Sequence, residues 1–162
     1  MTQTFKVRRA MVSDTKQIAG LMRHRDIFRL LGKDYTVANL RSWLADNEEL
    51  CLVAESEERI VGLALSYPFG FGGGYFDHIR LFDLAVDPRY RNHGVARRIC
   101  FSLFSSLKKS GIKKVMAFVE SDNKAVQEFN RTIGMAKEGM IKGLFMDGKR
   151  PVSGVVYGRS LA

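Results

Sequence analysis

Residues 80–120 constrain the fold most, because they predict a strand, a helix and a second strand in succession. The apolar run RLFDLAV (80–86) ends at Asp87-Pro88, and VMAFVE (115–120) is a second continuously apolar segment. Between them, over residues 94–109, apolar side chains recur at helical spacing: Ala96, Ile99, Cys100, Leu103, Phe104 and Leu107. Two strands joined by a helix in this way are expected to lie parallel in one sheet, through a right-handed crossover.

The segments before this unit predict further helices and strands. FKVRRAMVSD (5–14) opens as a strand and passes into a helix capped by Ser13 or Asp14. A second helix is expected after Thr36, with its apolar residues facing inward. LCLVAES (50–56) and RIVGLALSY (59–67) then predict the two strands of an antiparallel hairpin.

The segments after residue 120 predict one more helix and a long strand pair. Asp122 or Asn123 caps a helix that runs to Ile133 and closes at Gly134. The turn MDGKRP (146–151) separates two alternating runs, which predicts an antiparallel pair. A length of 162 residues is typical of one hydrophobic core, so we expect a single domain over residues 1–162.

Residues 69–78 (FGFGGGYFDH) contain four glycines but not a dinucleotide-binding fingerprint. Tyr75 occupies the position of the last glycine, and a strand rather than a helix follows. We therefore expect a loop between strands, with closure over a substrate as the alternative role.

The amino-acid composition limits the classes of partner that the protein is expected to bind, but it does not identify one of them. The formal net charge of +9 favours an anionic partner, which could be nucleic acid, an acidic protein or a phosphate-bearing cofactor. No apolar run reaches the about 18 residues of a membrane span, and the N-terminus lacks the apolar core of a secretory signal. We therefore expect a cytoplasmic protein that does not associate with membranes. Cys51 and Cys100 stand apart in apolar patterns, which predicts buried free thiols and no metal site.

The segment DPRYRNHGVARR (87–98) has the features of an anion-binding loop. The first N–H groups of a helix have no partner within the helix and carry the positive end of its dipole. Gly94 would let an anion approach the backbone closely, and Arg91, Arg97 and Arg98 add positive charge. A simple turn with solvated arginines is the alternative interpretation.

The run Arg91-Asn92-His93-Gly94-Val95-Ala96 resembles the (Gln/Arg)-x-x-Gly-x-(Gly/Ala) signature of the GNAT superfamily, whose members transfer acyl groups from acyl-coenzyme A to amines. The strand, loop, helix, second strand and following helix of about residues 80–135 come in the order of that family. The resemblance implies an α+β (α/β) GNAT-type domain. Its central twisted sheet would be mixed and mostly antiparallel, with one parallel strand–helix–strand unit and helices on both faces.

The resemblance also implies how a cofactor, acetyl-coenzyme A (acetyl-CoA), would bind, without a metal ion. The loop N–H groups would hold the pyrophosphate, and pantetheine would pair with backbone groups where the fourth and fifth strands diverge. The residues assigned to the cofactor in this way are Leu84, Ala85, Val86, Arg91, Asn92, His93, Gly94, Val95, Ala96, Arg97 and Asn123.

Transfer to an amine needs a donor for the developing oxyanion and an acceptor for the amine proton. The N–H group of Leu84 or Ala85 is the candidate oxyanion donor. Asp83 shares a strand face with Ala85, and it either binds or deprotonates the acceptor or has a structural role in a cap or ion pair. Glu120 is a second candidate carboxylate, expected at a solvated strand end. His78, after the glycine-rich segment, is a further candidate catalytic residue.

The departing thiolate is often protonated in this family by a tyrosine seven residues after the asparagine that starts the fourth helix. Counted from Asn123, that position is Asn130, so the chain departs from the pattern. An amide can donate a hydrogen bond to sulfur but does not give up a proton. Tyr157, Tyr90 and water remain alternatives as the general acid, and unassisted departure is another because the thiol pKa is about 8.5.

Taken together, these residues predict an enzyme, an N-acetyltransferase that moves acetyl directly from acetyl-CoA to an amine in a ternary complex. The acceptor would be a small molecule or a protein N-terminus or lysine. The alternative is a non-catalytic module on the same fold that senses acyl-CoA or binds protein or nucleic acid. Dispersed basic residues disfavour nucleic acid, and the long final strands could pair in a homodimer.

Overall fold

The computed structural model of the protein describes residues 4–23, 36–47, 51–69 and 77–162. These contain seven strands: β1 (Lys6–Arg9), β2 (Cys51–Ser56), β3 (Arg59–Pro68), β4 (Ile79–Val86), β5 (Lys114–Glu120), β6 (Ala136–Asp147) and β7 (Arg150–Ser160). The α-helices of the same ranges are α1 (Thr15–Met22), α2 (Val37–Asn47), α3 (Val95–Lys109) and α4 (Lys124–Thr132). Backbone pairing orders the strands β1-β2-β3-β4-β5-β7-β6. The predicted mixed, mostly antiparallel sheet is confirmed.

The chain divides into two compact units. The first comprises Met1–Ser66 and Asp83–Ser106, and the second comprises Tyr67–Phe82 and Leu107–Ala162. Strand β4 contributes residues to both units, because the boundary between the units falls within this strand, between Phe82 and Asp83. The single domain expected over residues 1–162 stays a prediction.

In the first unit, α1 and α2 cover one face of the strands. Leu63 and Leu65 of β3 and Ala85 of β4 belong to the buried cluster that both helices join. Ile18 of α1 and Leu44 of α2 are completely buried in this cluster, as the helical periodicity predicted. Burial of large aliphatic side chains is the main favourable term in such a core.

Helix α3 covers the opposite face of the same unit, and Gly62 of β3 lies at its closest approach. A Cβ atom on Gly62 would lie 2.9 Å from Ile99 Cδ1, 3.0 Å from Val95 Cγ1 and 3.3 Å from the carbonyl oxygen of Ala85. Only glycine allows the helix to pack this close to the strand. Helices thus cover both faces of the first unit, as predicted.

The second unit contains the parallel pair and the long final strands. Strand β4 pairs parallel with β5 from Ile79↔Lys114 to Leu81↔Met116, and β7 pairs antiparallel with both β5 and β6. Asn123 caps α4, because its Oδ1 accepts the N–H of Val126 at 3.2 Å. Gly134, with a φ of +77°, ends this helix as predicted.

A cluster of charged side chains fixes the start of the chain in the first unit. Arg8 donates two hydrogen bonds to the carboxylate of Asp14, at 2.7 and 3.0 Å, and a third to Glu55 of β2. The N–H of Met11 donates to the same Asp14 carboxylate at 2.7 Å. Burial alone would raise the pKa of Asp14, but the hydrogen bonds from Arg8 and Met11 and the charge of Arg8 lower it below its ordinary value.

Several local predictions are confirmed at the level of single turns. The β2–β3 hairpin turns through Glu57 and Glu58, with φ angles of 49° and 62°, and β3 ends at Pro68. Thr36 caps α2 by accepting the N–H of Asn39 at 3.1 Å. Of the glycine-rich segment, residues 70–76 lie outside the described residues, so the loop predicted there stays a prediction.

The close approach at Gly62 predicts opposite effects for two glycine-to-alanine substitutions. Gly62→Ala should lower the free energy of unfolding by about 1–3 kcal/mol, since the new methyl group overpacks the contact between β3 and α3. Gly20→Ala in α1 is the control, because a Cβ there meets nothing within 4 Å, and it should raise stability by about 0.5–1 kcal/mol. Chemical denaturation measures both. Equal effects would contradict the packing described.

The lowered pKa of Asp14 predicts a pH-dependent contribution to stability. A group whose pKa is depressed in the folded state stabilises the fold above its unfolded pKa, about 3.9, and loses that contribution as the pH falls through the folded value. Asp14→Asn should therefore be less stable than the wild type at pH 7, with the difference shrinking below about pH 4. Asp46→Asn, at an exposed position on α2, is the control. A difference that is independent of pH would contradict the assignment.

Candidate functional site: the loop at the start of helix α3

The loop between β4 and α3 begins with a capped turn. Asp87 accepts the N–H of Arg89 at 3.0 Å, and its second oxygen binds the Arg89 guanidinium at 2.7 Å. Arg91 donates from Nε to the carbonyl oxygen of Val86 at 3.3 Å. The predicted end of β4 at Asp87-Pro88 is confirmed. These contacts fix the path by which the chain leaves the strand.

Two residues of the loop have left-handed backbone conformations. The φ angles are 63° at Asn92 and 78° at Gly94. Space around Gly94 is open, since an added Cβ would meet no atom within 4 Å, but a side chain there would strain the backbone. Left-handed residues within a turn orient successive N–H groups toward a common point, and such concave arrangements bind anions.

Helix α3 starts directly after Gly94 and presents its positive end to this loop. The N–H of Arg98 bonds to the carbonyl oxygen of Gly94 at 3.0 Å. The preceding N–H groups, those of Val95, Ala96 and Arg97, have no acceptor within the helix. Val95 is buried and anchors the first turn, whereas residues 91–94 and Arg97 are exposed. The loop therefore presents backbone donors and positive charge to solvent.

The last residues of β4 alternate between its two edges. The N–H of Asp87 bonds to the carbonyl oxygen of Val61 in β3 at 2.8 Å. Because N–H groups two residues apart in an extended strand point to the same edge, the N–H of Ala85 also points toward β3. The N–H of Leu84 points to the opposite edge. Of the two predicted oxyanion donors, only Leu84 directs its N–H away from β3.

The remaining predicted residue on this stretch is Asp83. It is half-buried and, by alternation, lies on the sheet face of Ala85, the face covered by α1 and α2. Asp83–Val86 and the loop residues 91–97 thus all belong to the first unit. In the second unit lie His78, Glu120, Asn123 and Asn130.

The prediction that Glu120 is a solvated strand end is wrong, because the residue is buried with 7% of its surface exposed. Glu120 pairs with Gly154 of β7, and its carbonyl oxygen accepts a hydrogen bond from Nε2 of Gln127 at 3.2 Å. Strand β7 and helix α4 therefore cover this end of β5. The pairing with Gly154 joins residues that are distant in sequence, which a pattern of neighbouring residues does not reveal.

The second unit contains buried polar side-chain atoms without a hydrogen-bonding partner among the described residues, and besides Nε of Arg80 there are two, at positions 130 and 157. Nδ2 of Asn130 and Oη of Tyr157 are the atoms concerned, and the two residues are 3% and 0% exposed. A buried polar group without a partner costs free energy, so each marks a place where water or a ligand would be stabilised. The inward orientation predicted for Asn130 is confirmed. The burial of Tyr157 was not foreseen, although its position in an apolar run of β7 is consistent with it.

The other candidates have simpler environments. His78 is exposed, and its carbonyl oxygen accepts the N–H groups of Lys113 and Lys114 at 2.9 and 3.1 Å. His93 is exposed in the loop. Cys51 and Cys100 are free and buried, as predicted, and desolvation raises the pKa of each thiol to about 12. Neither cysteine has the low pKa of a catalytic nucleophile.

Known proteins share this fold. The sequence model of the acetyltransferase (GNAT) family matches residues 21–135. A ribosomal-protein-alanine N-acetyltransferase from Brucella melitensis superposes with a TM-score of 0.84 at 21% identity, covering 96% of this chain and 99% of its own. A GNAT-superfamily phosphinothricin acetyltransferase from Sinorhizobium meliloti, solved with acetyl-CoA, has a TM-score of 0.81 at 17% identity, with coverages of 100% and 90%. No curated protein sequence matches the chain.

The fold is thus shared with solved acetyltransferases. The chain belongs to the GNAT acetyltransferase family, whose model covers more than half of it. Among the described residues, no helix is long and apolar enough to cross a membrane. Over the same ranges, no group of three or more His, Cys, Asp or Glu residues could hold a metal ion.

Proposed function

We propose that this protein is an N-acetyltransferase that binds acetyl-CoA at the loop between β4 and α3. The observation that carries the proposal is the exposed start of α3, where backbone N–H donors follow the left-handed residues Asn92 and Gly94. A pyrophosphate fits this place, because it combines negative charge with several acceptor oxygens. The acetyl-CoA complex of the Sinorhizobium neighbour supports the same ligand.

Strand β4 supplies the donor for the oxyanion in this proposal. Attack of an amine on the thioester moves negative charge onto the carbonyl oxygen, and a fixed N–H directed at that oxygen lowers the barrier. The N–H of Leu84 is the donor we propose, since that of Ala85 points toward β3. Val86, whose N–H points to the same edge of β4 as that of Leu84, would contribute backbone groups to pantetheine. Ala85 is left out of this proposal, because its N–H and its carbonyl oxygen lie toward β3.

Asp83 is the proposed base. An alkylammonium with a pKa of about 10.4 must lose a proton before or during attack, and a half-buried carboxylate on the adjoining residue can accept it directly or through water. Glu120 is less suited to contact an acceptor, because it is buried beneath α4 and β7. His78 remains a candidate for the acceptor side, since it is exposed.

Asn130 takes part in the departure of the thiolate. Its Nδ2 is buried and has no hydrogen-bonding partner among the described residues, so it is available to donate to sulfur. Such a bond stabilises the thiolate without delivering a proton. Protonation then comes from Tyr157, whose buried Oη also has no partner in the described part of the chain, or from water.

The acceptor in this proposal is an amine, on a small molecule or on a protein N-terminus or lysine. The structural neighbours are named for different acceptors, a ribosomal-protein alanine and phosphinothricin. The fold alone therefore does not identify the acceptor of this protein. Two buried free thiols suit the reducing cytoplasm, which is the proposed location. Release of free coenzyme A thiol from acetyl-CoA in the presence of a panel of amines tests the activity.

The same fold without turnover is the second candidate function. It is favoured by one observation, the asparagine at position 130 where a general acid is expected from the resemblance. An acyl-CoA sensor would bind acetyl-CoA with the same loop and release no thiol with any amine. Thiol release therefore separates the two functions.

A substitution at Gly94 should abolish binding of acetyl-CoA. Gly94→Glu places a carboxylate against the pyrophosphate site and strains a left-handed residue, so the dissociation constant should rise at least about a hundredfold. Gly111→Glu is the matched control, because Gly111 is also left-handed (φ 86°), open to solvent and adjacent to the far end of α3. Calorimetric titration of both folded variants measures the difference. Equal affinities would refute the loop assignment.

If Asp83 is the base, its contribution to the rate should decrease as the pH rises, because the acceptor amine is then increasingly deprotonated in solution. Asp83→Asn should lower kcat/KM about a hundredfold near pH 7, and by much less near pH 10, while acetyl-CoA binding stays unchanged. The ratio of wild-type to variant kcat/KM is measured across this pH range. A ratio that stays constant with pH would show that Asp83 is not the base.

Asn130 and Gln127 form a matched pair of buried amides on α4. Asn130→Ala should reduce kcat about tenfold or more by removing the donor to the thiolate, with little change in acetyl-CoA affinity. Gln127→Ala should instead lower stability by about 1 kcal/mol, because Nε2 of Gln127 donates to the carbonyls of Glu120 and Ser121 at 3.2 and 3.0 Å. Steady-state kinetics and denaturation separate the two effects. An unaltered kcat in Asn130→Ala would exclude this residue from the mechanism.

A further inference from the structure

One end of the sheet in the second unit carries basic side chains that the proposed reaction does not use. Strands β4 and β5 run parallel and both begin at this end, and β6 begins there too, since β5 and β6 each pair antiparallel with β7. Helix α3 ends shortly before β5, and α4 ends shortly before β6. We call this surface the basic end, and its basic residues are Arg80, Lys108, Lys109, Lys113, Lys114, Arg131, Lys137 and Arg159.

Acidic residues are fewer at the basic end, and two of the three are already paired. Glu138 binds Nζ of Lys114 at 2.7 Å, and Glu128 binds Nη1 of Arg131 at 2.6 Å. The third acidic residue is Asp77, shortly before β4. Eight basic and three acidic side chains leave a formal charge of +5, which is more than half of the +9 of the whole chain.

The opposite end of the same sheet has no such excess of positive charge. Three basic residues are balanced there by three acidic ones, namely Lys124, Lys149 and Arg150 by Glu120, Asp122 and Asp147. Arg150 also lies within ion-pair distance of Asp122 and Asp147, at 3.5 and 3.2 Å. The charge of the second unit is therefore concentrated at one end.

Four lysines of the basic end are exposed and have no ion-pair partner among the described residues: Lys108, Lys109, Lys113 and Lys137. Lys108 and Lys109 lie in the last turn of α3, where a cation stabilises the helix dipole. Lys113 and Lys137 lie outside the helices, so the dipole does not account for them. Like charges on one surface repel one another, and an anionic partner would relieve this repulsion.

We propose that the basic end binds nucleic acid through its sugar–phosphate backbone. An acidic protein would also match the charge, but protein–protein interfaces have an apolar core, whereas nucleic-acid interfaces are polar and strongly positive. The large apolar residues that are exposed in the described ranges all lie elsewhere: Met11, Phe101, Met140, Ile141, Leu144 and Met146. No exposed aromatic ring is thus available at the basic end to stack on a base, so binding is to phosphates and independent of base sequence.

This surface is separate from the residues assigned to acetyl-CoA and does not rest on the proposed function. Lys108 and Lys109 lie at the far end of α3 from Gly94, about 20 Å along a helix of 15 residues. Arg131 is likewise at the opposite end of α4 from Asn123. Basic residues that are dispersed along the sequence are thus brought to one surface by the fold.

The test measures binding of the full chain to a labelled duplex of about 20 base pairs by fluorescence anisotropy, at salt concentrations from about 50 to 200 mM. Each phosphate that a lysine neutralises adds about −0.9 to the slope of log K against log salt concentration. Lys108→Gln, Lys109→Gln and Lys113→Gln combined should therefore reduce the magnitude of the slope by about 2 to 3. Binding at the lowest salt concentration should weaken at least about tenfold.

Lys124→Gln, Lys142→Gln and Lys149→Gln combined is the matched control, because it removes three exposed lysines of the same unit that lie outside the basic end. It should change the slope by less than about one. Duplex DNA and duplex RNA of one sequence are measured in parallel, and the tighter ligand identifies the backbone that the surface fits. An excess of coenzyme A should not displace either duplex.

Three results would overturn the proposal. They are no binding at the lowest salt concentration, equal losses in the two triple variants, and displacement of the duplex by coenzyme A, which would place the nucleic acid at the loop before α3. Tighter binding of polyglutamate than of either duplex would assign the surface to an acidic protein instead. Acetyl-CoA binding by the Lys108, Lys109 and Lys113 variant should equal that of the wild type, so the proposed function is judged separately.

Discussion

The contact between helix α3 and strand β3 at Gly62 is the constraint on which the candidate site depends. Ile99 and Val95 lie where a side chain on residue 62 would otherwise stand. Because Val95 is the first residue of α3, the same contact that packs the helix also fixes where its N–H groups are presented. Because residue 62 has no side chain, α3 packs directly on β3, and this contact fixes the position of the helix start. A larger residue at 62 would move the loop as well as loosen the packing.

Charge is distributed around the loop in a way that suits an anionic ligand. Asp87 is bound to the neighbouring Arg89 and caps the turn, so the carboxylate nearest the loop is occupied by a structural contact. The face of α3 that follows has arginines and no acidic residue. Part of the net charge of +9 is thereby explained as local complementarity to a polyanionic cofactor. Such complementarity acts mainly on the rate and specificity of association.

Much of the fold could be predicted because its signals are local. Helical spacing over residues 94–109, the Asp87-Pro88 stop and the cap at Asn123 each depend on a few neighbouring residues, and each is confirmed. The loop was recognisable for the same reason, since a glycine and basic residues stand between a strand and a helix. The role of Gly62 was not foreseen, because a glycine within an apolar strand gives no indication of what packs against it.

The details of the candidate site depend on contacts between different elements of the fold. These details could not be predicted from the sequence. The choice between Leu84 and Ala85 follows from the bond between Asp87 and Val61, that is, from the pairing of β4 with β3. The burial of Glu120 follows from β7 and α4, and the burial of Tyr157 from the sheet around it. Periodicity assigns a residue to a face of its own element, whereas its burial depends on elements, distant in sequence, that pack around it.

The central claim is that the loop at the start of α3 holds a pyrophosphate, and a thermal-shift titration tests it most directly. Acetyl-CoA is compared with S-acetylpantetheine, which carries the same thioester but no pyrophosphate or nucleotide. A ligand that binds only the native state raises the melting temperature with its concentration. The account predicts a dose-dependent rise with acetyl-CoA and none with S-acetylpantetheine at the same concentrations. No rise with millimolar acetyl-CoA, or equal rises with both compounds, would contradict it.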